Sequence, residues 1–499
     1  MKRIVIIGGG VSGLAAAHRL KELASHAPQP FETVLLEASP RLGGIIDTAE
    51  REGFLLELGP DSFISEKPEA LNLARRLGLA EQLIETNPTN RRSLIVAGGR
   101  LRPVPEGFYL LAPSRLWPFL NSDIFSWPGK GRILLDLVLP RRATNGSLDE
   151  SLASFVRRRL GQEALERMAQ PMIGGIFTAD PENLSLRASF PRFLEMERDH
   201  RSLIMALRRQ IGKRTVNGPI ASGARYNLFL SFIRGMRSLV DRLSSQLPET
   251  TVLLGSPVEQ VILDRRSQQW SVILASNRNL LADALCLALP APTAAALLKN
   301  TDPKLAAELE GIRYESTATI NLAYRRTDIA HALDGFGFVV PAIEKRSLIA
   351  CTFSSVKFSG RAPAGYVLLR AFVGGALQPE MFDLDADEIV SRVEHDLREL
   401  LGVRGPARFA EVSKWQKSMP QYHVGHLSRL ERINARLADC PNLWLAGSGY
   451  SGAGIPDCVR TGEIAAAEML ASLNLPGNNN SNGGVDSSLR IGIEASRRP

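Results

Sequence analysis

Apolar and polar positions fall into blocks along the chain. Arg3–Ile7 is a short apolar run that stops at glycine and reads as a buried strand. Val11–Ala24 sets alanine and leucine at helical spacing, and Thr33–Glu37 is a second strand, so the chain opens with a βαβ unit. Gly53–Leu58 is a further extended segment before the turn Gly59-Pro60. From Asn90 to Gly218 the pattern changes to Arg, Pro and aromatic residues, among them Phe108, Tyr109, Trp117, Phe119, Phe125 and Trp127, with a basic helix over Ser151–Ala169. Met236–Leu247 reads as a helix. Val252–Leu254, Val258–Leu263, Ser271–Ala275 and Ala284–Leu289 read as strands. Thr301–Met419 alternates apolar strands with one helix, Ala386–Leu401. Leu443–Ala446 is a last buried strand, followed by glycines and a helix over Arg460–Leu473. From Pro476 the chain is low in complexity and expected to be disordered, and no solenoid repeat is present.

A chain of 499 residues is too long for one core and points to two or three domains. Its 44% hydrophobic and 22% charged residues exclude disorder of the whole. A net charge of +8 suits an anionic ligand or an acidic membrane surface, and no nucleic-acid motif accompanies it. Cys286, Cys351, Cys440 and Cys458 form no C-x-x-C pair, which speaks against a zinc or iron–sulfur site and fits a reducing compartment. The first residues run straight into a strand without a signal sequence. The apolar run Ala284–Leu298 is broken by Pro290 and Pro292, so no spanning helix is expected and the cytoplasm is the expected location.

Gly8-Gly9-Gly10-Val11-Ser12-Gly13 fits G-x-G-x-x-G between a strand and a helix. Gly8 permits the tight turn, Gly10 lets a pyrophosphate approach the backbone, and Gly13 lets helix and strand pack closely. The helix N-terminus offers N–H donors to the anion. Glu37 follows Gly13 by 24 residues at the end of the second strand, where a carboxylate accepts both ribose hydroxyls of an adenosine. Past it, Arg41, Gly43 and Gly44 supply a basic residue and a second glycine pair, which lets backbone run beside a flat ring or a second phosphate.

The first 60 positions, GGGVSGLAAA…EASPRLGG, resemble the flavin amine oxidase superfamily. Further motifs resemble the protoporphyrinogen/coproporphyrinogen oxidase family of haem biosynthesis. They are Glu57–Phe63 (ELGPDSF), Gly174–Pro181 (GGIFTADP), Leu184–Arg187, Phe190-Pro191, His200–Leu203, Gly335–Pro341, Phe353–Ser355, Phe358 with Arg361–Pro363, Phe372–Gly375, and Ala446-Gly447 through Gly452–Cys458 to Gly462. The resemblance implies an α/β fold: a Rossmann-type FAD-binding domain (1–65, 225–300 and 440–475), a mixed-sheet substrate-binding domain (66–90 and 301–439) and a helical lobe (91–224), with 476–499 as the tail.

By similarity, Gly8–Gly13 and Glu37 hold the ADP half of non-covalently bound FAD. Arg41, Gly44 and Ile45 lie along the pyrophosphate and flavin, and Gly59, Pro60, Asp61 and Ser62 pass the isoalloxazine. Val258 matches a position where backbone meets adenine, although from the residues alone it is a core valine. Ala453, Gly454 and Ile455 precede the final helix, whose start can point N–H groups at the flavin. Cys458 lies near the flavin by motif, within a Pro-Asp-Cys pattern of relatives with non-covalent FAD. Arg92 matches an arginine that holds a substrate propionate, with Arg91 leaving the register open by one. Val339 and Phe372 match apolar positions that sandwich a pyrrole, Thr352 replaces an aliphatic residue of some relatives, and Gly175 matches a glycine whose backbone faces substrate.

The activity so implied is a six-electron oxidation of a porphyrinogen to a porphyrin, with O₂ reoxidising the flavin to give peroxide. Coproporphyrinogen III is preferred over protoporphyrinogen IX because Arg91-Arg92 and Thr352 make the site more polar, and a ferrochelatase is the expected downstream partner. An amine oxidase and a non-enzymatic binding protein of the GDP-dissociation inhibitor type are the alternatives on this fold. No acid–base residue is nominated: the seven histidines show no catalytic spacing, and His423 with His426, expected in a loop, lacks a third metal ligand. Phe108–Arg142 mixes Trp, Phe and Leu with Arg and Lys, which fits either peripheral membrane contact or a lobe packed on itself. No nucleic-acid partner is expected, and the oligomeric state is left open.

Overall fold

The last four residues of Lys2–Ile7 are all buried, as a strand covered on both faces requires. This strand is the centre of a five-stranded parallel sheet in the order Thr251–Leu253, Phe31–Leu36, Lys2–Ile7, Ala284–Leu287, Leu443–Leu445. The computed structural model describes residues 1–25, 27, 29–142, 149–213, 229–247, 251–474 and 490–491. Ile4 and Ile6 bury one face of the sheet against the helices Val11–Ala24 and Ile455–Asn474. Val5 and Ile7 bury the other against a three-stranded antiparallel layer, Val258–Asp264, Gln269–Leu274 and Asn279–Ala282, and the helix Ala291–Leu298.

The first helix forms over the residues its spacing predicts. The last one begins at Ile455, five positions before the expected Arg460, because Pro456 sits in its first turn, where a proline's missing N–H costs nothing. For the same reason Pro290 and Pro292 open a helix after Leu287 and do not merely interrupt an apolar run. A further helix not expected from the sequence, Pro303–Glu310, starts at Asp302, whose carboxylate accepts N–H bonds from Lys304 (3.1 Å) and Leu305 (3.0 Å).

The second sheet has seven strands in the order Phe409–Pro420, Tyr314–Arg325, Tyr366–Gly374, Ala350–Thr352, Gly337–Val339, Leu94–Ala97, Arg100–Pro103. All pairs are antiparallel except Gly337–Val339 with Leu94–Ala97. The last two strands lie inside the stretch 91–224 that the resemblance implied to be a helical lobe. Side chains alternate between faces. Ile320, Leu322, Leu369, Ala371 and Phe338 turn one face onto the helix Ala386–Leu401, through its Ile389, Val393 and Leu397. The opposite face carries Thr319, Asn321, Arg370, Phe372, Ala350, Thr352 and Val339, one residue out of phase on each strand.

A third, mostly helical core gathers Phe108, Phe119, Phe155, Ile173, Phe193 and Leu207, and Ile95 and Val339 of the sheet pack against it. The basic helix expected over Ser151–Ala169 is broken: it ends at Arg159, Gly161 turns with φ 95°, and a π-helical turn over Leu165–Ala169 leads into Gln170–Phe177. Arg159 is buried there against Asp136, whose other oxygen accepts from Ser202 Oγ at 2.7 Å. The tail expected to be disordered lies outside the described residues except for 490 and 491. Ile491 is fully buried beside the parallel sheet, and Arg490 donates to the carbonyl of Leu437 at 2.6 Å.

Candidate functional site

The glycine turn at the end of the first strand is shaped by contacts that admit no side chain. A Cβ on Gly8, whose φ is 111°, would stand 2.3 Å from the Ala288 carbonyl oxygen, and one on Gly13 would stand 1.9 Å from that of Gly8. Gly10 is different: a Cβ there would meet nothing within 4 Å. Open space above a backbone that precedes a helix N-terminus is room for an anionic group. Glu37 stands at the next strand's end with one oxygen 2.6 Å from the Gly9 N and the other 2.8 Å from the Ser39 N. Its carboxylate thus ties the turn to the second strand while keeping further lone pairs.

From Gly10 a backbone-lined path continues toward the second sheet. Gly43 N donates to Gly9 O at 2.8 Å, and Gly44, at φ 60°, lies so close that its Cβ would stand 3.4 Å from Gly10 Cα. Next, a Cβ on Gly59 would stand 1.7 Å from the Ile45 carbonyl oxygen, so the two turns touch through backbone. Ile45 itself is 42% exposed. Arg41 reaches back under this loop and donates to the carbonyls of Gly44 (2.7 Å) and Leu42 (3.2 Å). Its guanidinium is therefore engaged in shaping the turn. Val258 is half-buried in the strand that follows Ser256, whose N–H donates to the Glu37 carbonyl at 2.9 Å. The final helix starts at Ile455, with Gly454 exposed before it, and Gly462 packs so closely on the first helix that a Cβ would stand 2.2 Å from Ser12 O. Cys458 is buried in its first turns, and burial pushes its thiol up to about 12.

Three of the expected substrate residues, Val339, Thr352 and Phe372, share one sheet face. Val339, Ala350, Phe372 and Thr319 follow one another in register across four strands, and Gly337, Thr352, Arg370 and Asn321 form the neighbouring row. Ala350 carries a smaller side chain than Val339 and Phe372, which flank it on the neighbouring strands. Gly175 faces this row from the helical lobe, where a Cβ would stand 3.6 Å from Val339 Cγ1. Arg92 lies apart from this row, exposed and ion-paired with Asp334. Arg91 is half-buried and donates to the Thr86 carbonyl at 3.3 Å. His426 opens the helix His426–Leu437 and stacks on Tyr422 with ring centroids 4.4 Å apart. It is not in a loop, and burial lowers its pKa to about 4.

Residues 11–470 match the family described as flavin containing amine oxidoreductase. A coproporphyrinogen III oxidase of Bacillus subtilis is 34% identical over 95% of this chain and 98% of its own. Protoporphyrinogen oxidase 1 of Spinacia oleracea chloroplasts is 30% identical over 94% of this chain and 84% of its own. The chain belongs to the porphyrinogen oxidase family. An Exiguobacterium protein whose crystal structure carries a provisional protoporphyrinogen oxidase name superposes with a TM-score of 0.82 at 29% identity, over 95% of this chain and 98% of its own. A reduced UDP-galactopyranose mutase, at 17% identity and a TM-score of 0.70, shares the fold.

As a flavin-dependent oxidoreductase of this family the chain binds FAD. The open Gly10 and the continuous backbone path to Gly59 fit an extended dinucleotide. What reasoning from the sequence missed is the buried charge behind that path. Asp61 is ion-paired with Lys357 at 2.8 Å. Arg370, almost fully buried, donates to the Gly59 carbonyl and lies over the Phe372 ring at 4.9 Å. The Lys357 and Arg370 cations hold the Asp61 carboxyl well below the usual range against its burial. Glu57, four positions earlier at the end of a strand, has its cation, Arg361, at 3.9 Å: burial pushes it up to about 7, although Thr48 Oγ1 and Met236 N donate to it and Arg361 opposes the shift. The available signal was Arg370, a lone charge in a strand that is otherwise apolar.

Proposed function

We propose that the protein oxidises coproporphyrinogen III to coproporphyrin III. The observation that carries this is the in-register row of Val339, Ala350 and Phe372, set on the sheet face whose Thr319, Asn321 and Arg370 hold the backbone of Glu57–Gly59. An apolar slot for a pyrrole ring then adjoins the turn along which the flavin ring lies. Gly8–Gly13 and Glu37 would hold the ADP half, Gly44, Ile45 and Gly59–Ser62 the flavin half, and Val258 and Ala453–Ile455 its two flanks. Arg41 would act through the loop it braces. Bound there, FAD would take up two electrons in each of three rounds and pass them to O₂, giving peroxide. The protein orients a meso carbon toward the flavin and keeps water out, and the pyrrole N–H proton leaves to solvent or a backbone carbonyl. A Cys458 thiol that stays protonated and buried supports non-covalent binding.

Thr352 makes one edge of the slot polar. Arg92, with Asp334 as its partner until a propionate displaces it, supplies a cation for a substrate with four carboxylates. The product would then go to an iron-inserting ferrochelatase. The test is aerobic turnover of the two porphyrinogens side by side, following porphyrin fluorescence and peroxide. Faster turnover of coproporphyrinogen supports the reading; preference for protoporphyrinogen moves the substrate assignment, and inactivity on both overturns it.

The helical lobe supports a second element of the proposal, peripheral membrane contact. Trp117 and Trp127 are each 73% exposed, Val138 66% and Leu135 47%, within a segment that ends in the exposed Arg141 and Arg142. No helix among the described residues is long and apolar enough to cross a membrane, so contact would be with one leaflet. Flotation with anionic liposomes at low salt tests it; Trp117→Ser/Trp127→Ser should abolish flotation, and a wild-type protein that stays at the bottom defeats it.

A further inference from the structure

The turn Gly59–Ser62 is held from behind by more positive than negative charge. Lys357 Nζ lies 2.8 and 3.1 Å from the two Asp61 oxygens and 3.3 Å from Ser62 Oγ, and Ser62 Oγ donates to Asp61 at 2.6 Å. Ser231 Oγ donates to the Asp61 carbonyl at 2.7 Å and accepts from Arg361 Nη2 at 3.0 Å. Arg361 continues to the carbonyls of Phe232 and Ile233, and its nearest carboxylate, Glu57, is 3.9 Å away. Arg370 holds the Gly59 carbonyl, and its Nε has no partner. Lys357, Arg361, Arg370, Asp61 and Glu57 are all buried or nearly so: three cations face two carboxylates. The aromatic rings of Phe229 and Phe358 flank the Lys357 ammonium at 5.3 and 5.0 Å, which further shields it from water. In so dry a place a charge acts over many ångströms.

We propose that Lys357 and Asp61 are positioning residues that fix the Gly59–Ser62 turn and set the charge beside the flavin, and so tune its reduction potential. The inference rests on FAD lying along this turn. Electrons arriving at the flavin add negative charge. The excess of cations favours the reduced state, and each change in the pair has a definite sign. Lys357→Met removes one of the three cations and disfavours reduction. Asp61→Asn leaves Lys357 uncompensated and favours it. The double variant restores the net charge of the pair.

The experiment is equilibration of each FAD-loaded protein with a redox dye under anaerobic conditions. The expected result is opposite shifts in the two single variants, each at least tenfold in the reduced-to-oxidised ratio, about 30 mV for a two-electron couple. The double variant should return to within threefold of wild type. A role limited to holding the fold would move both single variants the same way or not at all, and either result overturns the proposal. Should a single variant lose its FAD, the double variant decides, since a displacement of tenfold or more from wild type contradicts charge compensation. Porphyrinogen turnover is measured separately, so failure of the substrate reading leaves the potentials interpretable.

Discussion

At the scale of single residues, burial that outweighs Arg361, 3.9 Å away, is what gives Glu57 its unusual proton affinity. Between about pH 4.5 and 7 the folded protein keeps a proton on Glu57 that the unfolded chain has lost, so its contribution to stability falls as pH rises through that window. Glu57→Gln removes this dependence. Its stability relative to wild type should rise by roughly 3 kcal/mol from pH 4.5 to pH 8 and stay flat above, read from denaturant melts across pH. A difference that does not vary with pH would show that Glu57 is ionised throughout. Arg92 makes a different kind of contribution. Exposed and paired with Asp334, it adds little to the fold, yet a guanidinium can take a propionate by two hydrogen bonds. Arg92→Ala should raise KM for coproporphyrinogen about tenfold with kcat nearly unchanged. An unchanged KM would remove Arg92 from the site.

At the scale of elements, the cofactor path depends on backbone touching backbone. Gly59→Ala would place a methyl group 1.7 Å from the Ile45 carbonyl oxygen, and neither turn can yield without moving the loop that Arg41 braces. Thermal melts should show a loss of about 1–3 kcal/mol, and the purified variant should carry less flavin than wild type. Elements with a strong period were legible: Val11–Ala24 and Ala386–Leu401 form over the residues their apolar spacing marks. Elements that open on a proline were not, because Pro456 and Pro303 look like breakers until each is seen to sit in the first turn of a helix, Pro303 behind its Asp302 cap. Arg91 and Arg92 were legible as a pair with the register open by one; Arg92 is the exposed one and Arg91 is half-buried, ahead of the strand Leu94–Ala97, which the Arg- and Pro-rich composition hid.

At the scale of the molecule, the parallel sheet brings the glycine turns together, and the seven-stranded sheet presents one face to them. The glycine turn and Glu37 could be read in advance because their spacing is local. The charged pair Asp61–Lys357 spans nearly 300 positions, and an isolated lysine in a sequence gives no sign that it will be buried. The same holds for the Val339–Ala350–Phe372 row: resemblance supplied its ends, while the register of three strands supplied the alanine between them. On the proposed function, the face that carries Val339, Ala350 and Phe372 delivers a porphyrinogen to the flavin. The most direct measurement is anaerobic mixing of the purified yellow protein with coproporphyrinogen III while flavin absorbance and porphyrin fluorescence are followed together. The flavin absorbance should bleach as coproporphyrin fluorescence appears, and should return on admitting air. Flavin that stays oxidised with coproporphyrinogen and protoporphyrinogen but bleaches with an amine would contradict the account.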